Sequence, residues 1–340
     1  MPPEQILKKE DVSLDLALRP GRWDDYIGQE KIKRNLRVLI EAAQKRKEPI
    51  EHVLLYGPAG LGKTTLANLI AKEMGASLKV TSGPAIEKVG DLAAILTNME
   101  EGDMLFIDEA HRLHKVVEEM LYPAMENGTL DIILGKGPSA RTLQLQLPRF
   151  TIIAATTRAG LLSSPFRSRF GATHRLEFYQ KDEIKKIIAR SAALLGANLL
   201  DEAVEVIANA SRFTPRVANR VLKRVRDFAQ VHDHEPVTRD VAQKALAMLD
   251  IDSIGLEATD LRILETIITK YRGGPVGLKT IAASTSEEVE TIEDIYEPYL
   301  LQIGFLARSM KGRIATKDAY AHLGIPFEAD HNQKNQGTLL

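Results

Sequence analysis

Between residues 31 and 47 the apolar positions Ile32, Leu36, Leu39, Ile40 and Ala43 fall on one helix face, with Lys and Arg between them, and an amphipathic helix is predicted. Three short apolar runs follow at 52–56, 104–107 and 150–155. Each ends in a polar or Gly-rich turn and helical stretches separate them, the alternation of a parallel sheet covered by helices. Between the second and third runs, 129–134 and 142–147 alternate apolar and polar positions about Gly135, Lys136, Gly137 and Pro138, which predicts a β-hairpin. The pattern permits a hairpin packed by one face or one that docks a partner through its apolar tip.

After Tyr179 the strand-like runs stop, and 183–195, 201–210, 215–228 and 239–249 read as helices. A stretch at 250–258 with two Asp, Ser and Gly reads as a linker into a third unit. There 260–271, 278–283 and 287–301 read as helices, and 304–316 as a hairpin turning at Lys311 and Gly312. Three helices and a hairpin make a winged helix. The predicted fold is α/β, a parallel-sheet domain over 1–179 followed by a small helical lid over 180–252 and a winged helix over 253–328. The polar residues 328–340 are expected to be disordered.

Composition narrows this picture little. Apolar residues make 44% of the 340 and charged residues 27%, the balance of an ordinary globular chain. A net charge of −1 gives no global reason to bind nucleic acid, so such contact must be local. The absence of cysteine removes disulfides, thiol catalysis and Cys-ligated zinc. No apolar run approaches the ~20 residues of a membrane span, and the N-terminal residues 1–10 hold no apolar stretch, so a cytoplasmic location is expected.

Residues 57–65 read GPAGLGKTT between the run at 52–56 and a helix-forming stretch at 66–74, the P-loop pattern in its strand, loop and helix setting. Gly57, Gly60 and Gly62, with Leu61 between them, let backbone N–H groups and the helix N-terminus face phosphate oxygens. Lys63 supplies positive charge for the β and γ phosphates, Thr64 a hydroxyl for Mg²⁺, and Thr65 follows in the motif. The second run ends in Asp108, placed to hold the metal through water, and Glu109, suited to orient or deprotonate the attacking water. The third ends in Thr156 and Thr157, either a strand cap or a sensor of the γ-phosphate. Arg167 and Arg169 flank Ser168 and are solvated or aimed at a phosphoryl group. Thr214 and Pro215 form a helix start that puts Arg216 on the first turn, where its charge opposes the helix dipole. A bound phosphate or a surface ion pair would compensate it.

In this order and spacing the pieces resemble the AAA+ ATPases and, more narrowly, the RuvB family of Holliday-junction branch-migration motors. The resemblance rests on LRPGRWDDYIGQ (18–29), GPAGLGKTT, MLFIDEAHRL (104–113), GKGPSARTLQLQLP (135–148), ATTRAGLLSSPFRSRFG (155–171), TPRVANR (214–220), YRGGPVGL (271–278) and YEPYLLQIGFLAR (296–308). It implies ATP and Mg²⁺ as ligands, with Lys63, Thr64 and Thr65 as Walker A, Asp108 and Glu109 as Walker B and Thr157 as sensor 1. It further implies Arg169 as the finger reaching a neighbouring subunit's ATP and Arg216 as sensor 2 within its own subunit. Leu18, Arg19, Ile27 and Tyr179 would surround the base, and Glu126, Asn127 and Gly128 would join the nucleotide contacts. Also implied are a homohexameric ring around duplex DNA, action on a four-way junction with RuvA docked on the hairpin 130–147, and an indirect partnership with the RuvC resolvase.

In the third unit acids outnumber bases 11 to 8 over 253–328, yet 303–317 holds Arg308, Lys311, Arg313 and Lys317 with no acid. By the resemblance Arg308 and Arg313 contact the DNA backbone, a grip without sequence reading. The chain departs from the family pattern at Ala59 for Pro, Phe213 for Gly, Asn127 and Gly128 for an acidic-aromatic pair, and Ser309 and Met310 for Thr-Pro. A clamp-loader-like switch would lack the winged helix, a protein-unfolding ring would carry an aromatic pore loop absent from 82–91, and a transcription regulator would not turn ATP over continuously.

Overall fold

The computed structural model describes residues 16–134 and 141–327. The N-terminal stretch, the 135–138 connection and the polar tail from 328 lie outside the described residues. The chain divides into two compact units, Met1–Tyr179 and Gln180–Leu340.

The first unit is built on a five-stranded parallel sheet in the order β2-β3-β6-β1-β7, with β1 Val53–Tyr56, β2 Leu78–Ser82, β3 Met104–Asp108, β6 Thr151–Thr156 and β7 Ala172–Arg175. The hairpin strands β4 (Thr129–Leu134) and β5 (Arg141–Gln146) form a separate two-stranded sheet. The three predicted strands are the central ones and are almost wholly buried, whereas β2 and β7 have only partly buried and exposed residues. An edge strand has one hydrogen-bonded side and a half-covered face, so it needs no continuous apolar run. The sequence reading found no strand at either edge for that reason. Register aligns Tyr56 with Thr156 and Ser82 with Asp108, so the carboxyl ends of β1, β3 and β6 come out on one edge.

Helix α1 (Glu30–Arg46) buries Ile32, Leu36, Ile40 and Ala43, the predicted stripe. Helix α2 (Lys63–Met74) leaves the P-loop, and α3 (Val89–Thr97) and α4 (Lys115–Asn127) cover the sheet. The core joins Leu54, Leu105, Ile107, Ile152 and Ala154 from the strands to Leu92, Leu96 and Leu121 from the helices, each burial contributing about 1.5–3 kcal/mol for the larger side chains. The hairpin pairs Leu130 with Leu145 and Ile132 with Leu143. Its base is structural, since Leu130 and Leu147 belong to the core, while Leu143 is 44% exposed farther out.

In the second unit α5 (Lys181–Leu195), α6 (Asp201–Asn209), α7 (Pro215–Val231) and α8 (Arg239–Met248) precede the winged-helix elements. These are α9 (Ala258–Glu265), which runs on through a π-helical turn Thr266–Lys270, then α10 (Leu278–Thr285), α11 (Val289–Thr291) and α12 (Glu297–Gln302) joined by a second π-helical turn Ile292–Tyr296. Strands β8 (Leu306–Ser309) and β9 (Gly312–Ala315) form the wing, and a helix absent from the sequence reading, α13 (Lys317–His322), follows.

The predicted linker is pinned rather than loose. Asp252 accepts the N–H groups of Ile254 and Leu256 on one carboxylate oxygen, and Leu256 is fully buried in the winged-helix core. Glycine matters in the wing, where a Cβ on Gly274 would meet the Arg313 carbonyl oxygen at 2.3 Å and one on Gly312 the Val276 carbonyl oxygen at 2.3 Å. Val276 and Arg313 exchange backbone hydrogen bonds of 2.9 and 2.8 Å across that close approach.

Candidate functional site

The P-loop joins β1 to α2 in left-handed backbone at Gly57 (φ 139°), Gly60 (φ 81°) and Gly62 (φ 100°). A side chain at Gly57 would meet the Leu176 carbonyl oxygen at 2.4 Å, and one at Gly62 the Tyr26 hydroxyl at 2.8 Å, so both conformation and space call for glycine. Gly62 caps α2 without a side chain, which leaves the first-turn N–H groups directed out of the helix toward an anion. Lys63 is 7% exposed, and its ammonium donates to the carbonyls of Gly57 (2.8 Å) and Pro58 (2.9 Å). These two carbonyls are neutral dipoles, which a phosphate oxygen outbids. Thr64 and Thr65 are half-buried on the first turn, and Leu61 is fully buried.

Two tyrosines hold this loop. The Tyr179 hydroxyl lies 3.2 Å from both the Leu61 carbonyl and the Tyr26 hydroxyl, and Tyr26 reaches the same carbonyl at 3.4 Å. Burial, and then the neighbouring Tyr179, pushes the Tyr26 hydroxyl well above its ordinary pKa, so it stays a neutral donor. Tyr26 was missed by the sequence reading although it lies inside the motif at 18–29. Of the expected base-contacting residues Leu18 and Tyr179 are buried at 3%, Ile27 is half-buried and Arg19 exposed.

At the end of β3 the Asp108 carboxylate accepts the Glu109 N–H at 3.0 Å. Glu109 itself is left-handed (φ 47°), a conformation that strains a residue with a Cβ and is typical of a functional turn. Its Oε2 accepts the Thr157 hydroxyl at 3.3 Å and lies 3.2 Å from His111 Nδ1. Thr156 is fully buried and its hydroxyl meets His111 Nδ1 at 2.9 Å and accepts the Arg158 N–H at 3.0 Å. Thr156 is therefore structural, and Thr157 is the strand-end hydroxyl that faces the acid. No cluster of three or more His, Cys, Asp and Glu side chains suited to a metal occurs among the described residues. A cation held by Thr64 and Asp108 would complete its shell with phosphate and water, the oxygen-only, partly hydrated environment that suits Mg²⁺.

Arg169 follows a short helix, Ser164–Arg167. Its guanidinium stands 4.2 Å from the Tyr122 ring centre, pairs with Glu126 at 3.0 Å and donates to the Pro165 carbonyl at 2.6 Å, while its Nε is buried without a hydrogen-bond partner. Tyr122 donates to Glu118 at 2.8 Å and lies 2.9 Å from the Ser163 hydroxyl, which fixes the ring beneath the cation. The structure thus brings Glu126 to Arg169. Asn127 is exposed and ends α4, and Gly128 (φ 63°) is its left-handed cap, with its carbonyl accepting the Leu147 N–H at 2.7 Å.

In the second unit Thr214 caps α7 by accepting the Val217 N–H at 3.4 Å, Pro215 follows, and Arg216 is exposed on the first turn, as the sequence reading placed it. The preceding Arg212 (φ 52°) and Phe213 (φ 54°) are both left-handed, which accounts for the glycine expected at 213. Arg212 is 7% exposed, donates to the Gly255 carbonyl at 2.8 Å and pairs with Asp260, while the Phe213 and Tyr299 rings stand 6.3 Å apart.

Arg308 and Arg313 sit opposite each other in the wing register. Both clamp Glu297, Arg308 at 3.0 and 2.9 Å and Arg313 at 2.7 and 3.1 Å. Glu297 is 1% exposed, and although burial pushes its carboxyl up, the hydrogen bonds from Arg313 and Arg308 outweigh it and hold the group below the usual carboxylate range. Arg308 is 54% exposed and Arg313 only 19%. Glu297 lay unremarked inside the motif at 296–308. At the wing tip Met310 is fully exposed.

Three family models match in succession: the Holliday junction DNA helicase RuvB P-loop domain over residues 18–176, the RuvB AAA lid domain over 179–252 and the RuvB C-terminal winged helix domain over 253–324. Among solved structures the chain is similar to the Thermotoga maritima RuvB Holliday junction branch migration motor, at 50% identity over 92% of this chain and 100% of that one, with a TM-score of 0.85. A lysine-to-arginine mutant of Thermotoga maritima RuvB matches at 50% identity over 92% and 99% of the two chains with a TM-score of 0.86, and an arginine-to-alanine mutant over the same shares with 0.85.

Proposed function

Because the chain belongs to the RuvB family of AAA+ P-loop ATPases, the Holliday-junction branch-migration motors, we propose that it works in the cytoplasm as a homohexameric ring that drives duplex DNA through a four-way junction. Among the described residues no helix is long and apolar enough to cross a membrane. The ring acts with RuvA, docked on the hairpin 130–147 where Leu143 is exposed, and indirectly with RuvC. The functional divisions are the ATPase domain 1–179, the lid 180–252 and the winged helix 253–328.

The observation that carries this reading is the meeting of Glu109 and Thr157 on the sheet edge that also bears the P-loop. Lys63 binds the β and γ phosphates in place of its two carbonyls. Thr64 and Asp108 hold Mg²⁺, which neutralises phosphate charge when bound. Glu109 orients a water and takes its proton as the water oxygen bonds to the γ-phosphorus and the bond to the β–γ bridging oxygen breaks. Thr157 couples that carboxylate to the neighbouring strand. Arg169 stabilises the same charge on a neighbouring subunit's ATP and Arg216 acts within its own subunit. Leu18, Arg19, Ile27 and Tyr179 surround the base. Arg308 and Arg313 hold the DNA backbone.

The test is ATP-dependent dissociation of a synthetic four-way junction, with and without RuvA, beside Lys63→Ala. Dissociation that needs ATP, RuvA and Lys63 supports the motor. Hydrolysis with an intact junction moves a clamp-loader-like switch ahead of it.

A further inference from the structure

We infer that His111 is a positioning residue for ATP hydrolysis, holding the Glu109 carboxylate through its Nδ1–H and tying it to the end of β6. The inference rests on the assignment of Glu109 as the residue that handles the attacking water.

Glu109 has a poorly restrained side chain for that task. Its carboxylate is 37% exposed, and its bond to Thr157 is long at 3.3 Å. The backbone below it, by contrast, is fixed, because the turn Ala110–Arg112 sits so closely on Gly83 that a Cβ there would meet the Glu109 carbonyl oxygen at 2.4 Å and the Leu113 nitrogen at 3.1 Å. What remains free to vary is the side-chain torsion, and His111 is placed to set it.

The His111 side chain is 7% exposed, with Nδ1 3.2 Å from Glu109 Oε2 and 2.9 Å from Thr156 Oγ1. A carboxylate oxygen only accepts, so a ring nitrogen this close is stable only as the donor, and Nδ1 carries the proton. Thr156 is itself fixed, being fully buried at the end of β6 and accepting the Arg158 N–H at 3.0 Å. The ring is thus anchored to one strand by its hydrogen bond to Thr156, which keeps Nδ1 within ion-pair distance of the acid on the other. Both Thr157 and His111 converge on Oε2, which leaves proton acceptance from water to Oε1. A carboxylate held by Thr157 from the neighbouring strand end and by His111 from its own turn keeps one orientation, and misplacing a catalytic group by about 1 Å can lower a rate ~10²-fold.

The decisive measurement is steady-state ATP hydrolysis by the full chain for His111→Ala, His111→Asn and His111→Gln, with ATP affinity measured separately and Glu109→Gln alongside. An Asn amide nitrogen falls near the imidazole Nδ1 position and can donate to Glu109, whereas a Gln amide reaches the far nitrogen's position. The expected result is a kcat lowered roughly 10- to 100-fold in His111→Ala with KM for ATP unchanged, recovered to within a few-fold in His111→Asn and not in His111→Gln. A kcat within twofold of the parent in His111→Ala overturns the inference, as does a loss borne by KM, or equal recovery by Gln and Asn. Should His111→Ala fail to fold, the Asn against Gln difference decides alone. Retained hydrolysis in Glu109→Gln would instead remove the assignment of Glu109, a failure separate from that of His111.

Discussion

Arg169 and Arg313 are equally enclosed, at 18% and 19% exposure, and each is held by a glutamate, but the glutamates differ. Glu126 is 52% exposed and Glu297 is 1% exposed. An exposed carboxylate left alone rehydrates, so an arginine can leave it at small cost. A buried carboxylate left alone is an uncompensated charge, and stripping its partner costs about 3–5 kcal/mol. Arg169 is therefore parked and Arg313 is built in. The unpartnered Nε of Arg169 agrees with a position held on loan. If the wing grips DNA as proposed, its pair with Glu297 has to stay intact, which favours the half-exposed Arg308 as the member that lends N–H groups to phosphate.

The contrast breaks most visibly in the rate of hydrolysis. Arg169→Ala should bind ATP as before and lose roughly 10³-fold or more in turnover, read by nucleotide binding beside ATPase assays; normal turnover would make Arg169 as structural as Arg313. Next in size is Glu297→Ala, expected to destabilise the second unit by about 3–5 kcal/mol in denaturant unfolding, because two guanidiniums lose their shared anion. The same carboxylate carries a pH signature. Its folded pKa lies below the unfolded value, so its contribution is complete above the ordinary Glu range near ~4.3 and is lost as pH falls through the folded pKa. Unfolding of the parent chain and of Glu297→Gln, followed from pH 7 downward, should converge in acid; a gap that persists there would refute the pair as its source. Arg308→Ala should lower the dependence of duplex affinity on salt by about one phosphate contact, with a smaller loss of stability than Arg313→Ala. Smallest is Glu126→Gln, whose unfolding free energy should move by less than about 1 kcal/mol. A larger change would mean that the Arg169 perch is structural after all.

What the sequence reveals follows how local the physics is. The central strands and the hairpin are legible because burial on one or both faces writes a run or an alternation into adjacent residues, and α1 because its stripe repeats within one element. The edge strands β2 and β7 carry no such mark. The P-loop, Asp108, Glu109 and Thr157 are legible because strand ends deliver them in known settings, and Thr214 and Pro215 are legible as a helix start. Tyr26, His111 and Glu297 were not, since each acts on atoms distant in sequence: Tyr26 on Leu61, His111 on Thr156, Glu297 on Arg308 and Arg313. Phe213 is the intermediate case. Its departure from glycine was visible in the sequence, but only its φ of 54° and the Tyr299 ring beside it explain what glycine would do there and how an aromatic residue is accommodated.

An engineer would describe the Arg212–Phe213 step as a preloaded coupling. Two side chains hold a bend that glycine would take without load, and the Asp260 pair and the Tyr299 ring clamp it from the winged-helix side. Backlash is the angle a coupling turns before it transmits force, and glycine at 213 would add it by freeing the torsion. With phenylalanine there, the bend is held instead by the Arg212–Asp260 pair, the Arg212 bond to the Gly255 carbonyl and the packing of Phe213 against Tyr299 and the winged-helix core, so the step between α7 and α9 keeps one conformation.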